Sequence, residues 1–174
     1  TTDFTLTHRY LDDSPTNTAQ DIYTIGLTVT DDDLGTSSDT TTVTVNNVAP
    51  VLTDLSTTTI DVSGRLTLTG RLVDAGTQDE LFLDVDWGDP SSSDNQQQVA
   101  FSAGTTEFTL THDYSIDNLA AAGSAIRLTI GDDDQGTTSY LLELPEAENE
   151  EVISQEDSSV QIDLTANDRA FTGT

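Results

Sequence analysis

One ten-residue phrase occurs twice: Thr1 to Tyr10 reads TTDFTLTHRY and Thr105 to Tyr114 reads TTEFTLTHDY, with changes only at Asp3/Glu107 and Arg9/Asp113. After each comes a variable stretch, then an alternating apolar run, Ile25-Leu27-Val29 or Ile126-Leu128-Ile130, then three aspartates and a nearby glycine. A chain that repeats a pattern of this length is built from units of one kind. The period, about 100 residues, is too long for a solenoid repeat and suits one immunoglobulin-like sandwich. The fold expected is all-β, with tandem immunoglobulin-like β-sandwich modules.

Period-2 alternation supports strands throughout. Phe4, Leu6, His8 and Tyr10 would face one way and Thr5, Thr7 and Arg9 the other. Val43 and Val45 alternate with threonines as a closing strand, and Asn46 to Pro50 reads as a short linker because proline interrupts a ladder. Beyond it, strands are expected around Ile60 and Val62, Leu66 and Leu68, Leu81 to Trp87, and Val99 to Phe101. This divides the chain into residues 1–46, the C-terminal half of one repeat; residues 47–144, a complete sandwich; and residues 145–174, an acidic linker and the first strand of a further module.

Charge narrows the choice of partner. There are 32 acidic residues against 5 basic ones, all arginines, for a formal charge of -27. Nucleic acid and anionic membranes are excluded as charge-driven partners, and a cation is favoured. An acidic chain with few aromatics also fits a disordered segment, but here the apolar residues are patterned rather than scattered. Cysteine is absent, so no disulfide can staple these small cores. No apolar run is long enough for a membrane-spanning helix, so no membrane insertion is expected, and the lack of an initiating methionine reads as a processed or excised piece.

With these residues in view, the second unit resembles a polycystic kidney disease (PKD) repeat of the kind found in tandem in large bacterial surface proteins. Val85-Asp86-Trp87-Gly88-Asp89 is similar to that family's VDWGDG, Thr111-His112-Asp113-Tyr114 to its HTY-like strand, and Asp132-Asp133-Asp134-Gln135-Gly136 to its acid-rich turn. Pro90 stands where the family usually has a second glycine. Gln155 to Asp168 resembles the opening of cadherin-like repeats in bacterial adhesins. The resemblance implies an extracellular or cell-surface setting and a stalk-like role.

The acid clusters are the candidate sites. Three adjacent carboxylates are more than a tight turn needs, so either a cation or full solvation is expected at Asp31, Asp32 and Asp33 and at Asp132, Asp133 and Asp134. Calcium takes six to eight oxygens in flexible geometry, and neither cluster has the EF-hand spacing. Three consecutive side chains cannot all face one ion on a flat strand, so other loops must contribute. Candidates are Asp12 and Asp13 after the first repeat phrase, and Asp74, Asp79 and Glu80 in VDAGTQDE, a loop to which the PKD resemblance also points. Asn46, Asn47 and Asp54 are further candidates for an ion between modules.

The remaining singular residues read as structural. His8 and His112 hold the same repeat position and are expected to face inward as packing histidines, since no other zinc ligands converge on them. Trp87 is either a core tryptophan or a sugar-stacking platform. Asp84, Asp86 and Asp89 lack the cleft and raised pKa of a glycosidase pair, and no nucleophile motif occurs, so catalysis is not expected. The function expected is that of calcium-stabilised repeats in the stalk of an adhesin-like protein, partnered by neighbouring repeats. Two alternatives stay open: a filament subunit completed by strand exchange between molecules, and a glycan- or protein-binding accessory module of a secreted hydrolase.

Overall fold

The computed structural model describes residues 3–14, 16–58, 60–61, 63–114 and 125–144. The cadherin-like start expected at 145–174 lies outside the described residues. Among them the regular structure is all antiparallel β. Strands β1 (Gln20–Thr30) and β2 (Thr36–Asn46) form a hairpin, and seven more strands form the second unit. These are β3 (Val51–Thr57), β4 (Arg65–Val73), β5 (Leu81–Asp86), β6 (Gln96–Phe101), β7 (Glu107–Asp113), β8 (Ala125–Asp132) and β9 (Thr137–Glu143). They form two sheets, β3-β4-β7 and β6-β5-β8-β9, packed as an immunoglobulin-like sandwich.

Alternation builds the core as expected. Leu66, Leu68 and Leu72 on β4 meet Leu83 and Val85 on β5 and Ile126, Leu128 and Ile130 on β8, all buried. Trp87, with no exposed surface, continues the β5 phase. It stacks on His112 at 5.1 Å, and the Tyr114 hydroxyl donates to the Trp87 carbonyl at 2.6 Å. His112 Nε2 lies 3.2 Å from an Asp89 oxygen. Burial alone would raise Asp89, but hydrogen bonds from Ser91 and His112 hold it below the usual carboxylate range. Trp87 therefore takes the core position, and no face of it is available to a sugar.

Three expectations are corrected. Asp3 to Tyr10 is not a strand, and Phe4 and Leu6 are exposed, although the matching Glu107–Asp113 is β7. A strand needs a ladder partner: β7 has β4, while Asp3 to Tyr10 has none among the described residues. His8 is accordingly exposed, edge-on to Tyr10, rather than inward like His112. The strand preceding β4 is Val51–Thr57; Ile60 sits in the connection after it, and Val62 is outside the described residues.

A register shift between Thr53 and Ser56, with Asp54 at φ 51°, breaks the period-2 alternation of β3. The bulge lets Leu52 and Leu55 both reach the core despite their odd spacing. Opposite Leu55, Gly70 leaves room for a ring to cross: a Cβ there would lie 2.7 Å from Phe108 and 2.8 Å from Leu55. Alanine normally outperforms glycine in a strand. Here Gly70→Ala is expected to destabilise by about 1–3 kcal/mol through overpacking, read as a lower urea midpoint at unchanged m. A raised midpoint would show that this contact is slack.

Candidate metal centre

The two aspartate clusters make the same turn. Asp31 Oδ1 accepts the backbone N–H groups of Asp33 (3.1 Å) and Gly35 (2.6 Å), and Asp132 Oδ1 accepts those of Asp134 (3.1 Å) and Gly136 (2.6 Å). In both, the fourth residue is left-handed: Leu34 at φ 69° and Gln135 at φ 71°. The first aspartate of each triplet thus serves the hairpin itself, by satisfying backbone donors of the turn.

Beyond that shared turn the environments diverge. Asp31, Asp32 and Asp33 are all exposed at the far end of the β1–β2 hairpin and, among the described residues, group with no other acidic loop, whereas Asp132 and Asp134 are 8% and 3% exposed. The phase of the strands explains the difference. Core positions on β4 run 66, 68, 70, 72 and then reach Asp74; those on β5 run back from 85, 83 and 81 to Asp79; those on β8 run 126, 128, 130 and then reach Asp132. At one rim of the sandwich, therefore, all three inward-facing series end in a carboxylate.

Loop chemistry draws these acids together. Gly76 sits so close to Asp79 that a Cβ would come within 2.2 Å of its carboxylate, and Asp74 Oδ1 accepts the Gly76 N–H at 3.3 Å. Asp133 Oδ1 accepts the Glu80 N–H at 3.0 Å, so Glu80 joins through its backbone while its own side chain is exposed. The first unit adds Asp12 and Asp13. Asp12 Oδ1 accepts the Ser14 N–H at 2.8 Å, and the Tyr23 hydroxyl donates to the Asp12 and Ser14 carbonyls while its ring lies against Tyr10.

The linker crosses the same rim. Asn47 Nδ2 donates to Asp132 Oδ2 at 2.8 Å, and Gly136 lets the backbone of Ala49 pass where a Cβ would lie 2.7 Å away. Gln135 also donates to the Asn17 carbonyl at 3.0 Å. Of the other linker-side candidates, Asn46 accepts from Gln20 across the hairpin and lines the cavity beside Asp12, Asp13 and Asp79, whereas Asp54 lies exposed at the bulge. A cavity of about 130 Å³ remains, lined among others by Tyr10, Asp13, Asn47, Gly76 and Asp79.

Three carboxylate sets converge, each with oxygens within 4.8 Å of one another: Asp12, Asp13 and Asp134; Asp74, Asp79 and Asp132; and Asp79, Asp133 and Asp134. An ion with calcium–oxygen distances of about 2.3–2.6 Å spans that separation. Both oxygens of Asp79, 3% exposed, and one each of Asp13 and Asp74 are buried with no hydrogen-bond donor. Buried, unpartnered carboxylate oxygens are costly and demand compensation. The ion pairs found among the described residues, Arg65–Asp113 and His112–Asp89, lie outside this cluster. The donor set is all oxygen and strongly anionic, which suits a hard divalent cation.

In comparison with known proteins, no family model matches the chain and no curated protein matches its sequence.

Electrostatics of the metal-free rim follow directly. Burial, then the charges of Asp74, Asp12, Asp133 and Asp134, push Asp79 up to about 7. Asp134 is raised by burial and the adjacent Asp13 carboxyl, and Asp74 chiefly by burial. A carboxyl raised on folding holds its proton more tightly in the folded state, so its contribution to stability is lost as pH rises from the unfolded pKa near 4 through about 7. In chelator, Tm is expected to fall between about pH 5 and about pH 8, and Asp79→Asn, which cannot ionise, to flatten that slope. Identical slopes in both proteins would place Asp79 in water.

Proposed function

We propose that the chain is a run of calcium-stabilised extracellular β-sandwich repeats, part of the stalk of a large bacterial surface or secreted adhesin-like protein. The observation that carries the cation is the pair of unpartnered, buried oxygens on Asp79 at the centre of the converging carboxylates. The PKD-like motifs and the repeat support the stalk, and the acids at the linker rim support a mechanical role. Calcium would screen like charges, tie the 74–80 and 132–136 loops to the Asp12–Asp13 loop, and limit bending at the linker. Its donors are Asp12, Asp13, Asp74, Asp79, Asp132, Asp133 and Asp134. Asp31, Asp32 and Asp33 belong to a solvated turn in this reading, and Glu80 to the loop backbone.

Linkage sets the scale of the effect. An ion that binds only the folded state stabilises it by about 2.7 kcal/mol at a hundredfold excess over Kd, and extracellular sites with Kd of about 0.1–1 mM are useful at ambient calcium. Thermal unfolding in about 2 mM calcium is expected to give a higher Tm than in EGTA, with a smaller gain in magnesium, because magnesium demands tighter octahedral geometry. Asp79→Asn is expected to lose most of the gain. Equal Tm in calcium and EGTA would remove the cation from the fold.

The hairpin favours a second reading, a filament subunit. Ile22 and Val29 on β1 are 68% and 63% exposed, whereas Ile130, at the repeat position of Val29, is fully buried. Strands from another molecule could cover that face by strand addition. Light scattering decides between them: concentration-dependent polymers support the filament, and a monomer of about 18.6 kDa supports the stalk.

A further inference from the structure

We propose that the acidic rim takes two calcium ions with separate tasks: an inner ion held by Asp74, Asp79 and Asp132 of the sandwich, and a joint ion held by Asp12 and Asp13 of the first unit with Asp134 of the second. The inference rests on the calcium reading above and adds to it the number of ions and their division of labour.

The grouping of ligands is the first support. Asp12 and Asp13 converge with Asp134, and Asp74 converges with Asp79 and Asp132, while the set Asp79, Asp133 and Asp134 links the two. The two outer sets do not merge into one group within 4.8 Å, about twice a calcium–oxygen distance, and seven carboxylates offer more oxygens than the six to eight one ion accepts. The second support is independent of the count of acids. Each outer set contains its own buried oxygen without a donor: Asp13 Oδ2 in one, Asp74 Oδ2 and both Asp79 oxygens in the other. With both of its oxygens free, Asp79 can serve the inner ion with one and face the linking set with the other. A single inner ion would leave Asp13 Oδ2 unsatisfied, and a single joint ion would leave Asp74 and Asp79 so.

The ligand origins then assign the tasks. Every inner ligand belongs to the loops after β4, before β5 and at the end of β8, so that ion ties the two sheets of one sandwich at their rim. The joint set combines a loop that precedes β1 with the turn between β8 and β9. Its ion therefore closes only when the two units are docked, and its loss frees the joint without unfolding the sandwich.

Calorimetric titration of the full chain with calcium chloride is expected to give two ions per chain. Asp12→Asn/Asp13→Asn is expected to give one, because the inner set of Asp74, Asp79 and Asp132 is left intact. Because the chain has no cysteine, Ser38→Cys and Ser93→Cys can carry spin labels across the joint. Calcium should narrow their distance distribution in the parent and leave it broad in the double variant. If the double variant fails a far-UV circular dichroism check, Asp12→Asn alone is used, since Asp12 is only half-buried, and should show the weaker joint ion. One ion in the parent, or two ions and a narrowed distribution in the folded variant, overturns the two-ion assignment and leaves the calcium reading intact. No heat and no Tm change with calcium overturns both.

Discussion

Repulsion among carboxylates at one rim is the constraint around which the second unit is organised. Three strands carry their core phase outward to an acid, at Asp74, Asp79 and Asp132, so the hydrophobic core ends there in negative charge instead of a loop of apolar residues. Nothing in the apolar packing requires that ending. The proposed cation would account for it, because the same burial that penalises bare carboxylates would strengthen their attraction for an ion. The glycines at 76 and 136 then have a common purpose, allowing the Asp79 side chain and the linker backbone to approach closer than any side chain would permit.

The opposite end of the sandwich is closed by aromatic packing. There Trp87 stacks on His112, Tyr114 meets His112 edge-on and donates to the Trp87 carbonyl, and the buried Asp89 accepts from Ser91 and pairs with His112. The chain has no cysteine, so this aromatic cluster and the leucine and isoleucine core hold the sandwich without a disulfide. One end is thus held by ordinary packing, and the other is where the proposed cation would bind.

Alternation made most of the second unit legible from residues alone: β4, β5, β7 and β8 follow the inward Leu, Val, Phe and Ile positions closely. Two failures are instructive. The first repeat phrase has the pattern of β7 but no neighbour to pair with among the described residues, and alternation describes a face, not a partner. β3 was obscured by its bulge, which breaks the period on which the reading depends. The two aspartate triplets are nearly identical in sequence and identical in turn geometry. Only three-dimensional neighbours distinguish the exposed Asp31–Asp33 turn from Asp132–Asp134, because the connection between β4 and β5 and the segment before β1 supply the other carboxylates. Composition favours a cationic partner but does not distinguish one triplet from the other.

The direction of the chain through the sandwich gives it a mechanical character. β3 starts at the acidic rim, beside the end of β4, and β9 leaves from that rim to finish at the aromatic end. Tension along the chain would therefore pull the first and last strands of the unit past one another lengthwise. The β3–β4 hydrogen bonds, and the bond from Leu52 N–H to the Tyr140 hydroxyl that joins the two terminal strands, would be loaded together in shear, not opened one at a time. A unit strung in this way resists extension through many bonds at once, and its lifetime under load is set by the height of its unfolding barrier rather than by its equilibrium stability.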